Sequence, residues 1–94
     1  MLKFKKWDIV DHLQTEKDIK EFLEVVFEEG DPDLIPLALG AAARARRLMP
    51  KAAKKAGVGR ESLYRSLSKK GNPYFKTVHS VINSLGYKLK LVPA

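Results

Sequence analysis

Apolar residues recur along most of this chain at the three- and four-residue spacing of amphipathic helices. Thr15 and Asp18 form the pattern of a capping box, with Asp in place of the usual Glu, and Gly30 is a typical helix terminator. The apolar positions between them predict one amphipathic helix; they are Ile19, Phe22, Leu23, Val26 and Phe27.

A second helix is predicted to begin at Asp31-Pro32, where Asp is a good N-cap and Pro suits the first helical position. It extends to about Leu48 and is rich in alanine, so neighbouring helices can pack closely against it. Its predicted last turn carries Arg44, Arg46 and Arg47, which favour the helix dipole and could equally bind phosphates.

Two short helices are predicted between residues 49 and 67. The first, Pro50–Ala56, presents small alanines and ends at Gly57, where the chain needs a positive φ angle. The second begins at Gly59 or Arg60 and carries Leu63 and Leu67 on one face. This spacing is typical of a helix-turn-helix. The alternative is an ordinary αα-hairpin within a small bundle.

The C-terminal part predicts a last helix, Tyr74–Leu85, and then a strand, Tyr87–Val92, whose apolar and lysine residues alternate. Phe75, Val78 and Ile82 would share the buried face of the helix with Leu85. Because a strand needs a partner, this strand should pair with the N-terminal arm or with a second subunit.

The predicted fold is therefore mainly α, a helix-turn-helix bundle of about five to six helices with a short C-terminal β-strand. We expect one domain over residues 1–94, since a chain of 94 residues supports a single core and gains from dimerisation. Its predicted parts are an acidic helical part (about 8–40), the helix-turn-helix (about 49–68), and the last helix and strand (74–92).

Composition favours a cytoplasmic protein. The chain has no cysteine, which excludes disulfides and thiolate metal sites and fits a reducing compartment. It has no apolar run near the roughly 20 residues that span a bilayer. The N-terminus lacks the apolar region of a secretion signal.

Charge is distributed very unevenly along the chain. Residues 1–40 contain five Lys and Arg against ten Asp and Glu, whereas residues 41–94 contain thirteen against Glu61 alone. Two surfaces of opposite sign suggest two different partners. The basic half contains the predicted helix-turn-helix, which favours a nucleic acid as one of them.

In the second helix of this motif, Glu61 and Arg65 would lie nearly opposite Leu63 and Leu67, with Arg60 and Tyr64 along one flank. Arginine suits the O6 and N7 edge of guanine, and glutamate suits the N4 amine of cytosine. The predicted base-contacting residues are Arg60, Glu61, Tyr64 and Arg65. Two alternatives stay open, namely an ion pair between Glu61 and Arg65 on a solvated face and a partly buried Tyr64.

Further cations around the motif are candidates for contacts with the DNA backbone. The predicted phosphate-contacting residues are Arg47, Lys51, Lys54, Lys69, Lys70 and Asn72, with Lys55 as a further candidate. Each alone is an ordinary surface residue, so the prediction depends on their clustering.

An enzyme is not expected, and neither a cofactor nor a metal is predicted. His12 and His79 are far apart in the sequence and have no neighbours at metal-ligand spacing. The serines have no base or glycine elbow near them, and the Gly57-Val-Gly59 segment follows no predicted strand.

The acidic segment LEVVFEEGDPDLIPLALGAAARARR, the segment GRESLYRSLS and the turn GNP together resemble one known family. From about Phe4 onward the chain is similar to addiction-module antidote proteins, the HigA-type antitoxins with a λ-repressor-like helix-turn-helix. The resemblance implies a homodimer that binds its own operator and neutralises a RelE/HigB-like ribonuclease toxin.

The acidic first helix is the predicted toxin-binding surface, with Glu21, Glu24 and Glu28 as the contacting residues. One alternative function is a stand-alone prophage-type transcriptional regulator with no toxin partner. Another is a structural helical module that uses its basic face on RNA or on an acidic protein.

Overall fold

Five α-helices follow a short 3-10 turn in the computed structural model, which describes residues 8–69 and 71–94. The elements are the 3-10 turn Ile9–His12, α1 (Glu16–Glu29), α2 (Leu34–Ala45), α3 (Met49–Ala56), α4 (Arg60–Ser66) and α5 (Phe75–Ser84). The prediction of a mainly α fold is confirmed. Residues 1–7, which contain the N-terminal arm named as a possible partner of the C-terminal strand, lie outside the described part of the chain.

Helix α1 begins with the predicted capping box. The hydroxyl of Thr15 accepts a hydrogen bond from the Asp18 N–H at 3.0 Å, and the Asp18 carboxylate accepts one from the Thr15 N–H at 3.1 Å. These bonds satisfy N–H groups that have no partner within the helix. The helix ends at Gly30 as predicted, and buries Ile19 and Leu23.

Helix α2 is shorter at both ends than the predicted range from Pro32 to about Leu48. The Asp31 carboxylate accepts a hydrogen bond from the Asp33 N–H at 2.9 Å in the turn before the helix, but the N-cap is Asp33, whose side chain makes no capping hydrogen bond. Regular helix begins only at Leu34. At the other end Arg47 has φ 57°, a left-handed conformation that stops the helix. The Leu48 N–H then bonds back to the Ala43 carbonyl at 2.8 Å, as in a Schellman motif.

Because α2 ends at Ala45, the prediction that all three arginines lie in its last turn is wrong. Only Arg44 lies in the last turn of α2, since Arg46 is the C-cap and Arg47 lies beyond the helix. Positive charge there still favours the helix dipole.

Helices α3 and α4 are joined by the short turn that the sequence predicts. Gly57 has φ 73°, and the Val58 N–H donates to the Ala53 carbonyl at 3.0 Å. Ala52, Ala53 and Ala56 are buried, as predicted. The two helices and their hinge are thus where the spacing indicated, while the DNA-binding function of this motif stays a prediction.

The predicted buried face of α5 is found except at its first residue, and Val78 is partly buried against the core. Ile82 and Leu85 are buried, but Phe75 is 71% exposed. The helix also buries Thr77, Ser80, Val81 and Ser84. Burial of its two serines is tolerated because their hydroxyls donate to the carbonyls one turn earlier, each at 2.8 Å.

The predicted C-terminal strand is wrong, since residues 87–94 form no regular structure. A strand exists only when its backbone pairs with a neighbouring strand. The described residues provide no such strand. The alternating apolar residues consequently stay in contact with solvent, and Leu91 is 98% exposed.

The core lies where α2, α3, α4 and α5 meet. Its largest fully buried side chains are Leu39, Leu63 and Val81, one from each of α2, α4 and α5. Small residues allow close approach there, since a Cβ added at Gly40 would lie 3.2 Å from the Cβ of Leu67. In the described residues, none of the helices is long and apolar enough to cross a membrane.

Candidate nucleic-acid interface

The exposed side of α4 carries the residues predicted to contact bases. Leu63 and Leu67 anchor the segment, with exposed fractions of 0% and 4%. Because successive residues are about 100° apart around a helix, Glu61 and Arg65 point away from this buried side, and Arg60 and Tyr64 lie at its flank. All four side chains are exposed. Tyr64 is 45% exposed, so it is not a core residue.

The alternative ion pair on α4 does not form. The structure joins Lys17 to Glu21, Arg44 to Asp8 and Arg46 to Glu16, and no ion pair links Glu61 and Arg65 within the described residues. The charged groups of α4 are therefore available to a partner.

The predicted phosphate-contacting residues surround this helix in the sequence. Lys51, Lys54 and Lys55 are exposed on α3, and Lys69 and Asn72 are exposed after α4. Arg47 is exposed at the end of α2. Lys70 lies outside the described residues. None of these described cations is paired with a carboxylate among the residues that the structure describes.

The three arginines near the end of α2 have different surroundings, which the sequence did not reveal. Arg46 binds Glu16, with 2.8 Å between Nε and Oε1, and also approaches the Leu85 carbonyl at 3.4 Å. Arg44 instead lines a cleft together with Tyr64 and Lys69. Residues two apart on a helix differ by about 200°, which is the one sequence signal that could have separated them.

A second, acidic surface lies on the outer side of α1. Glu21, Glu24 and Glu28 are all exposed there, as the helical pattern predicts. Val25 lies among them and is 61% exposed. Its apolar side chain adds a hydrophobic element to an otherwise charged surface, which suits a protein partner.

An apolar groove of about 400 Å³ separates α1 from the C-terminal segment. Leu23 and Phe27 of α1 line it, as do Ile82 and Leu85 of α5. Its charged lining residues are Lys20, Glu24, Lys88 and Lys90. Among the described residues there is no group of three or more metal-ligating side chains that could hold an ion.

The fold and these surfaces define a small helical protein with a basic two-helix segment and a separate acidic helix. A family model described as "probable addiction module antidote protein" matches residues 3–93. The chain therefore belongs to this family of probable addiction-module antidote proteins.

A relative from Haemophilus influenzae, described as an uncharacterized protein, is 40% identical over 87 residues. The aligned region covers 93% of this chain and 89% of the relative. No solved structure matches the chain significantly. Membership of the family supports an antitoxin role and implies a toxin as a partner.

Proposed function

We propose that this protein is a DNA-binding antitoxin that neutralises a RelE/HigB-like ribonuclease toxin and represses its own operon as a homodimer. The observation that carries the DNA-binding part is the exposed side of α4, where Arg60 and Arg65 have no carboxylate partner within the described residues. Family membership supports the antitoxin part. In this proposal the protein acts by binding and catalyses no reaction.

In the proposed complex, α4 enters the major groove of the operator. Arg60 and Arg65 donate hydrogen bonds to guanine edges, and Glu61 accepts one from a cytosine amine. Lysines of α3 and the segment after α4 neutralise phosphates and hold the helix in register. A two-fold dimer then reads half-sites about one helical turn, ~34 Å, apart.

The toxin is proposed to bind the acidic face of α1. A ribonuclease must attract a polyanionic substrate, so a basic toxin surface is complementary to Glu21, Glu24 and Glu28. The two functions thereby use different surfaces of one small domain. Co-expression with the product of the adjacent gene, followed by purification of the complex, tests the toxin partnership.

The DNA-binding proposal is tested with the double variant Arg60→Ala/Arg65→Ala in a gel-shift assay on the protein's own promoter. Loss of two base contacts should weaken binding by at least about 30-fold, since each good base contact contributes about 1–3 kcal/mol. Lys17→Ala/Lys20→Ala on α1 is the matched control, because it removes the same charge from another surface.

Binding of the double variant as tight as that of the control would refute this use of α4. Equal weakening of binding to promoter and unrelated DNA would show that the two arginines contact phosphates and not bases. An adjacent gene that encodes no small basic protein would favour the stand-alone regulator.

A further inference from the structure

A cleft of about 320 Å³ lies between the end of α2 and the end of α4. Leu37, Met49 and Leu67 contribute apolar walls, and we call this feature the α2–α4 cleft. Its polar lining includes Arg44 and Lys69, two cations from parts of the chain 25 positions apart. Tyr64 of α4 also lines it and adds a phenolic hydroxyl.

Among the residues that the structure describes, no group accepts a hydrogen bond from the Arg44 guanidinium. Asp8 is the carboxylate near this side chain, with 3.6 Å between Nη1 and Oδ2, a distance too long for a direct hydrogen bond. Arg44 and Asp8 are 40% and 45% exposed, so this ion pair is weak and can be exchanged. Ser68 also lines the cleft, but its hydroxyl already donates to the Arg65 carbonyl at 2.6 Å.

This set of groups fits a phosphodiester. Arginine can donate two parallel hydrogen bonds to phosphate oxygens, lysine adds a positive charge, and the tyrosine hydroxyl adds a third donor. Apolar walls reduce the screening of these charges by water. A carboxylate ligand would match the charge equally, but Tyr64 belongs to the helix proposed to enter the major groove, which brings DNA to this side.

We propose that the α2–α4 cleft binds one phosphate of the DNA backbone, held by Arg44, Tyr64 and Lys69, and that Asp8 competes with this phosphate for Arg44. The inference rests on the proposed DNA-binding function and adds to it a specific backbone contact. A phosphate fixed at the end of α4 sets how that helix lies in the groove. The proposal also gives Arg44 a role that Arg46 does not have, because Arg46 is bound to Glu16.

The first test measures the affinity for labelled promoter DNA and for unrelated DNA between 50 and 200 mM salt. Arg44→Gln should weaken binding to both by about tenfold and reduce the slope of log affinity against log salt by about 1. Arg46→Gln is the matched control, since it removes the same charge from the other side of α2. Its slope should stay at the wild-type value, with circular dichroism to verify that both variants fold.

The second test uses Asp8→Asn, which removes the competing charge. Asparagine keeps the cap that Asp8 provides to the Val10 N–H at 3.0 Å, so the fold should be retained. Asp8→Asn should raise DNA affinity several-fold in the wild-type background and have little effect in the Arg44→Gln background. Asp11→Asn controls for the general effect of lost negative charge.

An unchanged salt slope in Arg44→Gln, or an equal effect of Asp8→Asn in both backgrounds, would overturn the cleft as a phosphate site. The proposed DNA-binding function would survive that result. Absence of DNA binding by the wild-type protein would instead overturn the proposed function together with the cleft.

Discussion

Arg47 is the residue whose backbone conformation departs most from what its side chain prefers. Its φ of 57° lies in the left-handed region, which costs most residues about 1–2 kcal/mol and costs glycine almost nothing. The three Schellman-type helix ends that follow α2, α3 and α5 place Arg47, Gly57 and Gly86 in this conformation. Arginine occupies the first of these positions at a conformational cost that glycine would avoid, and its exposed side chain is one of the predicted phosphate contacts.

Arg47→Gly should separate the two effects. We expect the free energy of unfolding to rise by about 1 kcal/mol, because glycine adopts the left-handed conformation without strain. DNA affinity should fall, since one exposed cation is lost. Urea denaturation and a binding titration measure the two quantities. A less stable variant would contradict the idea that the left-handed conformation of Arg47 is strained. An unchanged DNA affinity would show that Arg47 does not contact DNA.

At the scale of the elements, hydrogen bonds close in sequence determine where α1 begins. The reciprocal hydrogen bonds of Thr15 and Asp18 can be predicted from four consecutive residues. Helix α4 lacks such a cap, since Gly59 has no side chain to accept a hydrogen bond. Because α4 is only seven residues long, its position depends on the burial of Leu63 and Leu67.

Thr15→Ala should reduce the free energy of unfolding by about 1 kcal/mol, since it leaves the Asp18 N–H at the start of α1 without its partner. Thr15→Ser keeps the hydroxyl and should retain most of the stability. Thermal or urea unfolding of the three proteins gives the comparison. Equal losses in both variants would show that the methyl group of Thr15, and not its hydroxyl, stabilises the helix.

At the scale of the whole molecule, the acidic and basic residues lie on different elements. Glu21, Glu24 and Glu28 are exposed on α1, while the candidate DNA contacts belong to α3, α4 and their flanking segments. Separate surfaces permit the two proposed activities to be removed independently. This independence is itself a testable property of the molecule.

Glu21→Lys/Glu24→Lys/Glu28→Lys should abolish toxin neutralisation, because the reversed charges repel a basic partner. Operator binding should be retained, since the proposed DNA contacts lie elsewhere. Toxicity after co-expression measures the first property and a gel shift measures the second. Unchanged neutralisation would refute the assignment of the acidic face to the toxin.

A triple reversal of other exposed acids controls for net charge. Asp11→Lys/Glu29→Lys/Asp33→Lys changes the total charge equally, and none of these carboxylates takes part in a hydrogen bond or ion pair among the described residues. Neutralisation should survive in this variant. Its loss would mean that the overall charge, and not the α1 surface, determines toxin binding.

The sequence by itself determined the helices, their order and most of their ends, together with the inward side of α4. Caps, helix-stopping residues and apolar periodicity act over three or four residues, so they can be recognised without knowing the fold. For the same reason, the exposure of Arg60, Glu61 and Arg65 followed from the burial of Leu63 and Leu67.

Only the tertiary structure decided the features that depend on residues distant in the sequence. The segment after α5 has a strand-like pattern but no described strand to pair with, so it forms none. Phe75 has the spacing of a core residue, but it is the first residue of α5, and no element covers it among the described residues. Likewise helical spacing places Arg44 and Arg46 on different sides of α2, but only the packing of α2 shows that Arg44 lines a cleft with Tyr64 while Arg46 pairs with Glu16.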